Sequence, residues 1–152
     1  MTPHNLIEEI GRRLGTALTL DNAGLARIMV DDTLPVDFEL DEANERLLVY
    51  GVIGLPPQGR TRERFFEELL AANLFGAQTG TCSPAYDRER NEMLLWFSLG
   101  ENTHIEEAAA ALENLVEQAL HWRKRLNDTS TDAPPVHADM PATVNLEGFV
   151  RA

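Results

Sequence analysis

Basic residues are few in this sequence, and cysteine occurs once. Lys and Arg total 13 against 25 Asp and Glu, a formal charge of −12. A field of that sign repels phosphate backbones and anionic membranes, so nucleic acid is not an expected partner. The lone thiol, Cys82, has no second cysteine with which to close an internal disulfide and suits a reducing compartment. No run of about 18 apolar residues appears, and MTPHNLIEEIGRR carries acids where a signal peptide has its apolar segment. The expectation is a soluble cytoplasmic protein without membrane insertion. A chain of 152 residues fits one domain and can bury about 68–70% of its unfolded surface without metal or disulfide support.

Recognisable catalytic or metal chemistry is also lacking. His4, His104, His121 and His137 show neither H-x-x-x-H nor Cys/His spacing, so no metal site or cofactor is expected. His121 reads as compensating a helix dipole beside Trp122. Cys82 has no Cys-x-x-Cys partner and no activating base, and Ser83 is no better a nucleophile. The acid pairs Asp31/Asp32, Glu67/Glu68 and Glu106/Glu107 are adjacent in sequence; the helical ones read as solvated or helix-start acids. The loop from Gly54 to Thr61 nearly matches G-x-x-x-x-G-K-[ST]. Pro56 and Pro57, however, lack the N–H groups a phosphate loop needs, and Arg60 stands in the lysine position. A small phosphate- or nucleotide-binding enzyme built on this loop is the rival reading, and a structural adaptor subunit is a third. The main expectation is a non-enzyme.

What the sequence does contain is apolar surface in excess. In RLLVYGVIGLPP, Leu47, Val49 and Ile53 fall on one face of a strand and Leu48, Tyr50 and Val52 on the other, so both faces need cover. Upstream, VDFELD alternates cleanly, and the polar stretch 41–45 joins the two strands as a hairpin. ARIMVDD supplies a preceding strand, completing a three-stranded meander. The segment MLLWFSL repeats the two-faced pattern, with Met93, Leu95, Phe97 and Leu99 opposed to Leu94 and Trp96.

Three helices are expected. The first is capped by Thr2 and Pro3, carries Leu6, Ile7, Ile10 and Leu14 on one stripe, and stops at Gly15; Gly11 within it implies close packing. The second runs over 62–75 from a Thr61 cap to Gly76. Its stripe of Phe65, Phe66, Leu69, Leu70 and Leu74 is wide enough either for burial on its own sheet or for an added partner. The third starts with a Thr103–Glu106 capping box, places Ile105, Ala108, Leu112, Leu115, Ala119, Trp122 and Leu126 in steps of three and four, and ends on Arg123, Lys124 and Arg125. The fold class is α+β, an antiparallel twisted sheet with elements in the order α-βββ-α-ββ(β)-α over residues 1–127. From residue 128 to 152 the composition predicts a flexible acidic Pro/Thr-containing tail. Within it, VNLEGFVRA carries Val144, Leu146, Phe149 and Val150, a set able to dock on the chain's own apolar surface.

This ordered set resembles the class I type III secretion chaperones, the family that includes the Tir chaperone. The alternating strand leading into LLVYGVIGLPP, the helix piece ELLAANLFG, the strand MLLWFSL and the last helix ending ALHWRKRL carry the likeness, over residue 1 to about 127. The resemblance implies a cytoplasmic bacterial homodimer that holds the N-terminal chaperone-binding segment of type III effectors in extended form, without ATP or other cofactor. It makes the secretion ATPase a candidate further partner. Carried onto this chain, it points to Phe65, Phe66, Leu69, Leu70, Leu74, Leu95 and Phe97 for the dimer contact. Leu14, Leu18, Leu20, Ile28, Val30 and Phe38 are the corresponding effector-facing set.

Overall fold

A computed structural model describes residues 1–129. Helix α1 (Pro3–Leu14) precedes strands β1 (Leu25–Val30), β2 (Leu34–Asp41) and β3 (Arg46–Gly54). Helix α2 (Arg60–Ala72), strands β4 (Ser83–Asp87) and β5 (Glu92–Gly100) and the long helix α3 (Ile105–Thr129) follow. The strands form one antiparallel sheet in the order β1-β2-β3-β5-β4. The α+β class and the order of elements are those expected. The tail lies outside the described residues except for Asp128 and Thr129, which continue α3.

Helix α1 is bounded as its sequence dictates. Thr2 Oγ1 accepts the Asn5 N–H at 3.3 Å, Pro3 occupies the first turn, and Gly15 closes the helix at φ 71°. Leu6, Ile7 and Ile10 are buried. A Cβ on Gly11 would stand 2.7 Å from Leu18 Cβ and 2.9 Å from the Thr16 carbonyl oxygen, so the glycine admits the segment that follows its own helix.

The sheet is covered on one face. Leu34, Val36 and Phe38 of β2, Leu47, Val49 and Ile53 of β3, and Met93, Leu95, Phe97 and Leu99 of β5 all point into the core. Helix α3 crosses this face, with Ala119 set over Gly51, and buries Ala108, Leu112, Leu115, Val116 and Trp122 there. Helix α2 docks on α3 through the edge-to-face pair Phe65–Trp122, with centroids 5.9 Å apart, and through a two-pronged Arg125–Glu68 pair at 2.8 and 2.9 Å.

Four helix boundaries differ from expectation. Helix α3 begins at Ile105, which places Glu107 rather than Glu106 three residues past the cap; the Glu107 carboxylate accepts the His104 N–H at 3.2 Å. The same helix continues to Thr129, so His121 and the triplet Arg123, Lys124 and Arg125 sit before its last turn and do not compensate the dipole there. Arg123 instead donates from Nε to the Val52 carbonyl at 3.0 Å and from Nη1 to the Thr33 carbonyl at 2.8 Å, tying α3 to the β1–β2 turn and the end of β3. Burial holds its guanidinium below the usual arginine pKa.

Helix α2 starts at Arg60 after Gly59, not at Arg62 after Thr61, and stops at Ala72. A 3₁₀ turn over Leu74–Gly76 follows, with Phe75 at φ 54°. The chain turns here because Asn73 and Ala72 are engaged from downstream: Thr79 Oγ1 donates to Asn73 Oδ1 at 3.0 Å and the Gln78 N–H to the Ala72 carbonyl at 3.0 Å. Asn114 Nδ2 of α3 holds the same connection, donating to the Thr79 carbonyl at 2.9 Å and approaching Thr81 Oγ1 and Cys82 Sγ at 3.2 Å each.

At an open helical site, replacing glycine by alanine gains about 1 kcal/mol. For Gly11→Ala the contacts with Leu18 and Thr16 reverse the sign. A loss of about 1–3 kcal/mol is expected in urea unfolding, and a gain would contradict the close approach.

Candidate binding surfaces

Among the described residues strand β1 lies at an edge of the sheet, paired only with β2. Ala26, Ile28 and Val30 sit opposite Phe38, Val36 and Leu34, respectively. Those β2 partners are fully buried, whereas the β1 residues are half-buried, because α3 packs over β3 and β5 rather than over the edge. Leu14 at the end of α1 and Leu20 in the following loop are half-buried against the same core. Together they make an apolar margin running beside an open hydrogen-bonding edge. Of the six residues expected to face an effector, Leu14, Leu20, Ile28 and Val30 stand at this margin. Leu18 and Phe38 are buried beneath it.

The face of the sheet opposite the helices is a second surface. Tyr50 pairs with Trp96 and Val52 with Leu94 across β3 and β5, and Leu48 and Ala85 flank them. These side chains are half-buried by one another, and the described helices all pack on the other side. Burial is the first cause that pushes the Tyr50 hydroxyl pKa up, followed by the nearby carboxylates of Asp37 and Glu39. Arg27 and Asp37 form an exposed two-pronged pair, at 2.5 and 3.0 Å, toward the β1 side of this face.

The third surface is the knuckle after α2. Leu70 and Leu74 are more than half exposed, and Phe75 is 98% exposed. A phenylalanine at positive φ and in water is unfavourable on both counts. Of the residues expected at a dimer contact, Leu70 and Leu74 are here, and Phe66 is half-buried against Tyr86 with ring centroids 5.5 Å apart. Phe65, Leu69, Leu95 and Phe97 are packed inside the protomer's own core. The other parity of β5, Leu94 and Trp96, carries the side chains on the helix-free face. The alternation in MLLWFSL marks both sets but does not say which one the helices cover.

Nucleophile and phosphate chemistry find no support in the geometry. Cys82 is buried, and that burial pushes its thiol pKa up against the smaller effects of Asn114 and Thr81. The Gly54–Thr61 loop leaves a strand paired antiparallel on both sides, its Pro56 is buried, and its Gly59 serves as the cap of α2. Among the described residues no group of His, Cys, Asp and Glu is placed to hold a metal ion, and no helix is long and apolar enough to cross a membrane.

Residues 5–123 match the model of the Tir chaperone protein (CesT) family. The chain belongs to that family. The CesT family is one of chaperones, not of enzymes. No curated protein matches the chain by sequence. Solved structures share its fold. A chain of the HopA1–SchA chaperone–effector complex is 23% identical with a TM-score of 0.65, over 79% of this chain and 91% of that one. The Yersinia pestis type III secretion chaperone SycH, in complex with a stable fragment of YscM2, gives 23% and 0.63 over 80% and 99%. The heterodimeric ExoU–SpcU complex of the Pseudomonas aeruginosa type III secretion system gives 17% and 0.66 over 82% and 98%.

Burial and a raised pKa together make Cys82 inert in this CesT-family fold. At pH 8 its alkylation is expected to be at least about 100-fold slower in the native protein than in urea. Equal rates would contradict the packing around Asn114.

Proposed function

We propose that this CesT-family chain is a dimeric cytoplasmic chaperone that holds the chaperone-binding segment of a type III secretion effector in extended form, without ATP. The observation that carries the reading is the β1 margin, a strand edge unpaired among the described residues and flanked by half-buried Leu14, Leu20, Ile28 and Val30. An extended segment added to β1 satisfies its backbone on the edge and sets alternate side chains against this margin, at about 25 cal/mol per Å² of apolar area covered. Related folds occur in a chaperone–effector complex and in a type III secretion chaperone bound to a fragment of YscM2, which supports the same role here.

In this reading the dimer contact joins Leu70, Leu74 and Phe75 of one protomer to Leu94, Trp96 and Tyr50 of the other. That pairing covers the knuckle and the helix-free face together. Two β1 margins on one dimer then bind a single effector through linked sites, so modest local affinities combine. The acidic surface keeps the loaded complex soluble and favours segments rich in Lys and Arg.

Sedimentation of the purified protein at micromolar concentration is expected to show a dimer, and Leu70→Asp with Phe75→Asp a folded monomer. A native monomer would contradict the dimer contact. A co-expressed N-terminal effector fragment is expected to co-elute with the protein and to bind about 10–100-fold more weakly to Leu20→Ala/Ile28→Ala. Absence of any co-eluting fragment would overturn the chaperone reading.

A further inference from the structure

We propose that Arg27 makes the β1 edge select an effector strand that carries Asp or Glu at the position paired with it and an apolar residue two positions away, against Met29. The inference rests on reading the β1 margin as the effector site, and it names the chemistry that the effector must present there.

The first support is how little of the edge is open. The Gly24 carbonyl accepts the Leu40 N–H at 2.9 Å and so turns toward β2, which turns the backbone groups of the next residue outward. Leu25 shows this directly, because Asp21 occupies both of its outward groups. The Leu25 N–H donates to Asp21 Oδ1 at 3.0 Å, and the Leu25 carbonyl accepts the Asp21 N–H at 2.8 Å. Alternation then faces Ala26, Ile28 and Val30 toward β2, and Arg27 and Met29 outward. Pro35, which has no N–H to donate, pairs with Met29, as this parity requires. An added strand therefore finds its ladder at Arg27 and Met29, and Asp21 closes that ladder at the Leu25 end.

The second is the side chains that these two residues present. Ala26, Ile28 and Val30 pair with the core residues of β2, so Arg27 and Met29 lie on the helix-free face, and both are more than half exposed. Asp37 accepts from Nε and Nη2 of Arg27 at 2.5 and 3.0 Å. That pair fixes the guanidinium on the surface beside the open ladder. It leaves the rest of the five N–H donors of an arginine to be met from outside the pair.

The third is charge. A carboxylate on the incoming residue completes a row of Asp37, Arg27 and ligand that alternates in sign, and it accepts from the remaining donors. An apolar residue there would cover those donors without an acceptor, and a lysine would set a like charge directly across from a fixed cation. Basic residues elsewhere in the segment still answer the chain's overall −12. The acid is needed at this one position. Because Arg27 and Met29 are two residues apart on one face, the residue between the acid and its apolar companion turns to the Ile28 side.

Titration of the full chain with synthetic peptides KTVIVXVTK, where X is Glu, Gln or Lys, tests this. In antiparallel pairing X meets Arg27 and the isoleucine meets Met29. The Glu peptide is expected to bind about tenfold more tightly than the Lys peptide at low salt, with Gln between them, and the difference to shrink at about 1 M salt. Arg27→Glu is expected to invert the order, and Arg27→Gln, which adds no repulsion between β1 and Asp37, to remove the preference. An unchanged preference in Arg27→Gln overturns the inference. Amide exchange at saturating peptide locates the contact: slower exchange at Arg27 and Met29, with Ala26 and Ile28 unchanged, marks strand addition on the open edge. With that protection present, equal affinity for the three peptides overturns the role of Arg27 and leaves the chaperone reading standing. Binding without protection at Arg27 and Met29 overturns the inference, and binding of none of the three peptides removes the strand-addition reading along with it.

Discussion

The close approach of α3 to the middle of the sheet, with Ala119 set over Gly51, is the constraint on which the other surfaces depend. A glycine in β3 and an alanine in α3 allow the helix to settle onto β3 and β5, where Leu47, Val49, Met93 and Leu95 lose all contact with water. Centred there, the helix reaches neither the β1 edge nor the far face. Half-burial of Ile28 and Val30 on one side, and of Tyr50 and Trp96 on the other, follows from that placement.

Polar contacts then fix what the apolar packing leaves free. Arg123 binds two backbone carbonyls at the sheet end, and Asn114 gathers the connection between α2 and β4. A Cβ on Gly80 would meet Asn114 Oδ1 at 2.4 Å, so that connection is seated close enough to require glycine. Removing the Asn114 amide would strand the Thr79 carbonyl, an error costing about 1–3 kcal/mol. Around this core, apolar side chains stay half-buried or exposed along the β1 edge, on the helix-free face and at the knuckle after α2.

Much of this was legible in the sequence. Apolar patterns located the three long helices and strands β1, β2, β3 and β5, and the surplus of apolar faces around Tyr50, Trp96 and Leu70 pointed to contacts beyond the protomer. What the pattern could not carry was side. Leu95 and Leu94 alternate equally well, and only the arrival of α3 over one parity decides which is core. Local hydrogen bonding was also invisible. The cap at His104, the turn at Asn73 and the role of Arg123 each depend on partners far away in the chain, and residue-type preferences assigned them instead to Thr103, Gly76 and the helix dipole. The positive φ of Phe75 had no sequence signal, because that conformation usually calls for glycine or asparagine.

The central claim is that the effector segment is bound extended along the β1 edge. Nuclear Overhauser contacts between an isotope-labelled effector fragment and the chaperone test this most directly. The account predicts strand-like carbon shifts in the fragment and cross-strand contacts to the backbone of Leu25–Val30. Helical shifts, or contacts confined to the Tyr50 and Trp96 face, would contradict it.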